Sequence, residues 1–214
     1  MARLTAPLAA AICVLALAMT GARADMIVTD GMEPWDTCGG CHNLDGISKM
    51  SRFPKLAAQN RAYIEKQLND FRAERRHNDG GQMKNMASEL APDDIPKVAT
   101  YFSGLPPPPP VPTPLDPAAA DRARMLVEAG RPADGIPACL SCHGGRADLV
   151  TPRLEAQHAD YLAKELRDLR AGERANDPAG VMRAVAARLS DADIQAVSQY
   201  LAAQKRPETP SQPR

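Results

Sequence analysis

The sequence predicts an all-α fold: two copies of one small helical domain in tandem, joined by a proline-rich linker. Three observations carry that expectation. Two runs of the same form stand far apart, Cys38-Gly-Gly-Cys41-His42 and Cys139-Leu-Ser-Cys142-His143. The segments that follow them repeat one another, with apolar residues at helical spacing. Between the copies lie five consecutive prolines, Pro106 to Pro110, which neither a helix nor a central strand accepts.

The C-x-x-C-H form is the attachment signature of c-type haem. Two cysteines three positions apart on a short helical turn aim their sulfurs at one side of a porphyrin and bond its two vinyl groups. The histidine that follows lies under the iron. Cys38, Cys41, Cys139 and Cys142 are therefore the expected attachment residues, and His42 and His143 the expected axial ligands. Zinc and dithiol redox chemistry are the alternatives for a C-x-x-C pair. A zinc ribbon would place its second pair about 15–20 residues after the first, far short of Cys139.

Composition agrees with this reading. The charge is balanced, 26 Lys and Arg against 26 Asp and Glu, so no nucleic-acid-binding field is expected. Only 4% of residues are aromatic, few with which to fill two small cores. Haem would supply the missing apolar bulk. Residues 1–24 read as a cleaved secretory signal, with Arg3, an apolar run from Leu8 to Met19 and an Ala22-Arg23-Ala24 cleavage site. An uncleaved membrane anchor is the alternative. Cleavage removes Cys13 and leaves four cysteines, all in the two motifs.

In chain order, domain 1 spans 25–105. Asp25 to Thr37 is an irregular lead into the first motif. A polar loop, Asn43 to Arg52, follows His42. Tyr63, Ile64, Leu68 and Phe71 mark one face of a helix over about Arg61 to Arg75. Met83 and Met86 come after a glycine-containing loop. Pro92-Asp93-Asp94 then starts a helix to about Phe102. Residues 106–115 read as a semi-rigid polyproline spacer on the surface. Domain 2 spans 116–205. Asp116 caps a helix that ends before Gly130. Residues 206–214 read as a disordered tail.

The repeat aligns Phe53-Pro54-Lys55-Leu56-Ala57-Ala58-Gln59 with Thr151-Pro152-Arg153-Leu154-Glu155-Ala156-Gln157. It also aligns Tyr63 with Tyr161, Arg72 with Arg170 and Asn78-Asp79 with Asn176-Asp177. This register selects the second axial ligands. Methionine is a common soft partner of histidine at electron-transfer haems, and Met83 and Met182 each stand seven residues before a matching leucine. Met86 aligns with Val185 and reads as packing. His77 and His158 align with Ala175 and Asn60, so both read as surface histidines. Pro54 and Pro152 are candidates to accept the second ring N–H of each haem histidine, or are plain turn prolines. Tyr63, Tyr161, Arg72 and Arg170 either meet haem propionates or serve as ordinary packing and solvated charges.

The motifs, the P-[KR]-L-x-x-Q stretch, the Y-x-x-[KR]-[QE]-L helix, the N-D loop and the methionine segments Met83–Asp94 and Met182–Asp193 resemble dihaem class I cytochromes c of the cytochrome c4 family. The resemblance covers about Thr37 to Gln204. It implies two class I cytochrome c haem domains, two covalent haems c, haem–haem contact near the domain interface and periplasmic electron transfer. It also supports proline carbonyls as partners of the proximal histidines. Two departures stand out: domain 1 lacks a clear N-terminal helix, and the linker is longer and stiffer.

Two six-coordinate irons leave no position for a substrate, so the expectation is an electron carrier and not an enzyme. Its expected partners are redox proteins: a membrane quinol-oxidising complex, a terminal oxidase or a dehydrogenase, with peripheral membrane association open. The alternatives are a cytochrome subunit of the flavocytochrome c sulfide dehydrogenase type, or an enzymatic haem that has lost its methionine.

Overall fold

The computed structural model describes residues 31–144 and 150–207. The expected signal segment, 1–24, lies outside them. From Met32 onward the chain forms one compact unit. Among the described residues the regular structure is helical, with one isolated bridge, Arg131 to Ile136. No described helix is long and apolar enough to cross a membrane.

Both motifs fold as single helical turns, α1 (Gly39–His42) and α6 (Leu140–His143). In the first copy α2 (Arg61–Arg72) packs against α3 (Gln82–Glu89) and α4 (Ile95–Gly104). In the second, α7 (Ala159–Ala171) packs against α8 (Val181–Ala186) and α9 (Asp191–Ala202). α5 (Pro117–Glu128) lies along α9 and has no counterpart among the described residues of the first copy. Each copy has its own apolar core, Ile64, Leu68, Phe71, Val98 and Phe102 in one and Leu126, Ile136, Leu162, Ile194 and Leu201 in the other.

Local chemistry sets the helix ends. The Asn60 side chain accepts from Tyr63 N at the start of α2, and Asp116 accepts from Ala119 N at the start of α5. Ser190 and Asp193 form a reciprocal capping box on α9. Gly130 ends the α5 region at φ +74°, where a Cβ would fall 2.5 Å from Ala138 N and Ile136 O. No side chain fits there.

Trp35 stacks flat on Tyr101, centroids 4.4 Å apart and planes 2° from parallel. The Tyr101 hydroxyl donates to Leu44 O at 2.8 Å. At the matching place in the second copy, Tyr200 donates to Glu128 on α5 at 3.0 Å.

The linker is anchored at one point, and one expectation changes at the tail. Pro108 is buried, and Val111 N donates to Ala202 O at 2.9 Å. The linker is thus tied to the second copy at Val111, while Pro106, Pro109 and Pro110 are exposed. Arg206, assigned to the tail, is 0% exposed. Its Nε donates to Glu155 O and its Nη1 to Ala57 O, at 2.9 and 2.7 Å. The residues beyond Pro207 lie outside the description.

Candidate functional site

The structure builds the same small arrangement twice. His42 and His143 are each 6% exposed. Each places Nδ1 2.8 Å from a proline carbonyl, Pro54 O for His42 and Pro152 O for His143. Burial pulls both imidazoles below the usual histidine range, against the upward pull of that carbonyl. A neutral ring that donates from Nδ1 leaves the Nε2 lone pair available to a metal. Of the two readings for these prolines, the second-ring acceptor is the one the geometry supports.

The turns themselves are pinned by hydroxyls that the repeat alignment does not pair. Ser48 Oγ donates to Cys41 O at 3.1 Å, and Thr151 Oγ1 donates to Cys142 O at 2.8 Å. The serine sits earlier in its loop than the threonine does, so residue matching alone misses the shared role.

All four described cysteines are free thiols. Burial pushes the Cys38 and Cys139 thiols up to about 11. A dithiol nucleophile needs the opposite shift. Among the described residues no three His, Cys, Asp or Glu side chains converge as a zinc site would require. Two thiols and one imidazole per five-residue turn, with the imidazole tautomer fixed, fit covalent haem.

The methionines are placed less evenly. Met83 lies in the first turn of α3, half-buried against the first core, which Cys38 also touches. Its backbone N donates to Asp79 Oδ2 at 2.6 Å. Met182 is half-buried in the first turn of α8. The second core is lined by Cys139 and Val185, and Met182 is not among the side chains packed on it. Both methionines lie inside short helices that precede α4 and α9. Arg72 and Arg170 do not project into solvent. They donate to Leu90 O and Leu189 O at 2.8 and 3.2 Å, tying α2 and α7 to the ends of the methionine segments.

A polar seam joins the copies, and it repeats about a pseudo-twofold. Gln59 brackets the backbone of Arg153, accepting from its N at 2.7 Å and donating to its O at 3.0 Å. Gln157 does the same to Lys55, at 2.9 and 3.0 Å. Arg76 donates to Tyr161 and Arg174 donates to Tyr63, at 3.1 and 3.0 Å. Lys66 reaches Asn176 O and Lys164 reaches Asn78 O, each at 2.7 Å. At the centre Glu165 accepts from Arg76 at 3.0 Å and from Arg174 at 2.8 Å. Burial would lift the Glu165 carboxyl, but the two guanidinium groups hold it below the ordinary glutamate range. The matching position in the first copy is Gln67, so two buried arginines face one carboxylate.

Tyr63 and Tyr161 thus each accept at the hydroxyl from the other copy's arginine. His158, half-buried, places Nε2 2.9 Å from Ser48 O and also bridges the copies, whereas His77 is exposed. Part of the sequence signal for this seam was present: Gln59 and Gln157, Tyr63 and Tyr161, Lys66 and Lys164, and Arg76 and Arg174 recur in both copies and cross it, whereas the recurring Arg72 and Arg170 do not.

Comparison with known proteins bears on the site as a whole. A family model described as cytochrome c matches residues 133–205. A cytochrome c4 of Thiocapsa roseopersicina is 44% identical over 169 residues, covering 77% of this chain and 85% of the relative. A thiosulfate dehydrogenase electron acceptor of Thiomonas intermedia is 38% identical over 173 residues, covering 78% of each. The crystal structure of reduced recombinant cytochrome c4 from Pseudomonas stutzeri superposes with a TM-score of 0.71 at 37% identity, covering 79% of this chain and 94% of that one.

Proposed function

This chain belongs to the cytochrome c4 family of dihaem electron carriers, and from that premise we propose which residues hold its haems and where it works. Cys38 and Cys41 bond one haem; Cys139 and Cys142 bond the other. His42 and His143 would each supply one ligating nitrogen to an iron, and Met83 and Met182 one thioether sulfur each. The observation that carries this is the duplicated histidine geometry: each ring is buried and fixed by a proline carbonyl at 2.8 Å.

The haems supply the one-electron couple between Fe(III) and Fe(II). The chain's own residues keep the reorganisation small. Pro54 and Pro152 hold the imidazoles in one tautomer and orientation. Ser48 and Thr151 pin the attachment turns. The seam fixes the two copies against each other, so electron passage between them needs no rearrangement of the domains.

The setting is the periplasm, reached through the leader at 1–24. There the partners are redox proteins that donate or accept single electrons. A dehydrogenase donor is favoured among them by the similarity to a thiosulfate dehydrogenase electron acceptor. A membrane quinol-oxidising complex or a terminal oxidase would complete the circuit.

A spectroelectrochemical titration of the purified protein tests this reading. Two one-electron steps are expected, with six-coordinate low-spin spectra throughout and no binding of added carbon monoxide. A high-spin haem that takes carbon monoxide readily would move the protein into the enzymatic class.

A further inference from the structure

One side chain bonds the same carbonyl in both copies. Arg206 is 0% exposed. Its Nη1 donates to Ala57 O at 2.7 Å and its Nε to Glu155 O at 2.9 Å. Ala57 stands three residues after Pro54, and Glu155 three after Pro152. The two carbonyls are therefore equivalents in the repeat, and a single guanidinium straddles the pseudo-twofold between them. Counting on from the matched pair Phe102 and Leu201, the first copy has Pro107 at this position, a residue with no donor to offer.

The peptide groups that Arg206 grips are held from their other side as well. Ala58 N donates to Phe102 O in α4, and Ala156 N donates to Leu201 O in α9, each at 3.0 Å. Both alanines adopt a positive φ, +52° and +55°. That conformation is strained for alanine and persists only where the surroundings enforce it. Each of these peptide groups thus runs from a helix of its own copy to Arg206. The loops that contain them begin at Pro54 and Pro152, whose carbonyls orient His42 and His143.

Resting on the two-haem reading above, we propose that Arg206 is a positioning residue. It clasps the two histidine-orienting loops in one register, so that the haems keep a fixed separation for electron passage. Two charge-assisted bonds from one planar fork define the spacing of the two loops. The clasp comes from the end of the second copy and closes on both.

Hydrogen exchange on the purified holoprotein tests the clasp. The amides of Lys55 and Arg153 cross the seam, to Gln157 Oε1 and Gln59 Oε1 at 2.9 and 2.7 Å, and so report separation of the loops. Arg206→Ala removes two hydrogen bonds from a charged donor, and exchange at both amides should quicken by roughly a hundredfold. Amides inside α2 and α7 should keep the parent's rates. Electron exchange between the haems, read from NMR line widths of the half-reduced protein, should slow. Arg206→Lys keeps the charge but not the rigid fork, and should shift the same two amides in the same direction by a smaller factor.

Unchanged exchange at Lys55 and Arg153 overturns the proposal, as does a rise spread evenly over the whole chain. Quickened seam amides with electron exchange at the parent's rate make Arg206 a structural tie and overturn its positioning role. If the alanine variant fails to fold, the lysine variant decides by the same criteria. Intact mass, measured beforehand, separates the two readings: fewer than two attached haems defeats the two-haem reading and the role in electron passage with it, whereas two haems with unaltered seam amides defeats this inference alone.

Discussion

His42 and His143 show how one side chain is prepared for a metal before any metal is considered. Burial keeps each ring neutral, and the proline carbonyl takes the Nδ1 proton, so a single lone pair is presented. The methionine opposite is the more replaceable half of such a pair. Met182→Ala should open the second iron to exogenous imidazole and lower its potential, since a thioether favours Fe(II). An unchanged spectrum and potential would refute the assignment. In the first copy two methionines lie close together, Met83 and Met86. Met83→Ala should abolish the methionine-to-Fe(III) charge-transfer band of that haem, and Met86→Ala should leave it in place. The reverse pattern would exchange their roles.

At the scale of elements, the matching tyrosines meet different partners, Trp35 at Tyr101 in the first copy and Glu128 of α5 at Tyr200 in the second. The half-buried indole stacks on Tyr101 of α4. Trp35→Ala should destabilise the protein by about 2 kcal/mol, the apolar burial of a partly exposed aromatic. Chemical denaturation followed by haem absorption would check it, and a change below about 0.5 kcal/mol would mean that Trp35 is not part of the wall. The motifs, the α2 and α7 faces, the Asp116 cap and the Gly130 stop were legible in the sequence because each is set by neighbours in the chain. The Trp35 stack, the anchoring of the prolines at Ala202 and the burial of Arg206 were not. Each depends on a partner distant in sequence, and composition alone makes a proline run or a charged tail look solvated.

At the scale of the whole molecule, the two apolar cores are joined by a polar seam that is costly to interrupt. Glu165 neutralises Arg76 and Arg174 at the centre of the seam. Glu165→Ala would strand two buried guanidinium groups and should cost about 3–5 kcal/mol, measured as a drop in the denaturation midpoint. The seam also predicts an acid limit. Because the folded Glu165 carboxyl lies below its unfolded value, its contribution is complete above about pH 5 and is lost as pH falls through the folded value. Glu165→Gln should flatten that part of the stability profile; an unaltered profile would place the acid sensitivity elsewhere. All of this presumes that the two duplicated turns each carry a covalent haem. Intact mass under denaturing conditions, on protein from a host able to mature c-type cytochromes, tests that most directly. The expected mass is that of the polypeptide from Asp25 plus two haems, and a mass equal to the bare polypeptide, or to one haem only, would contradict it.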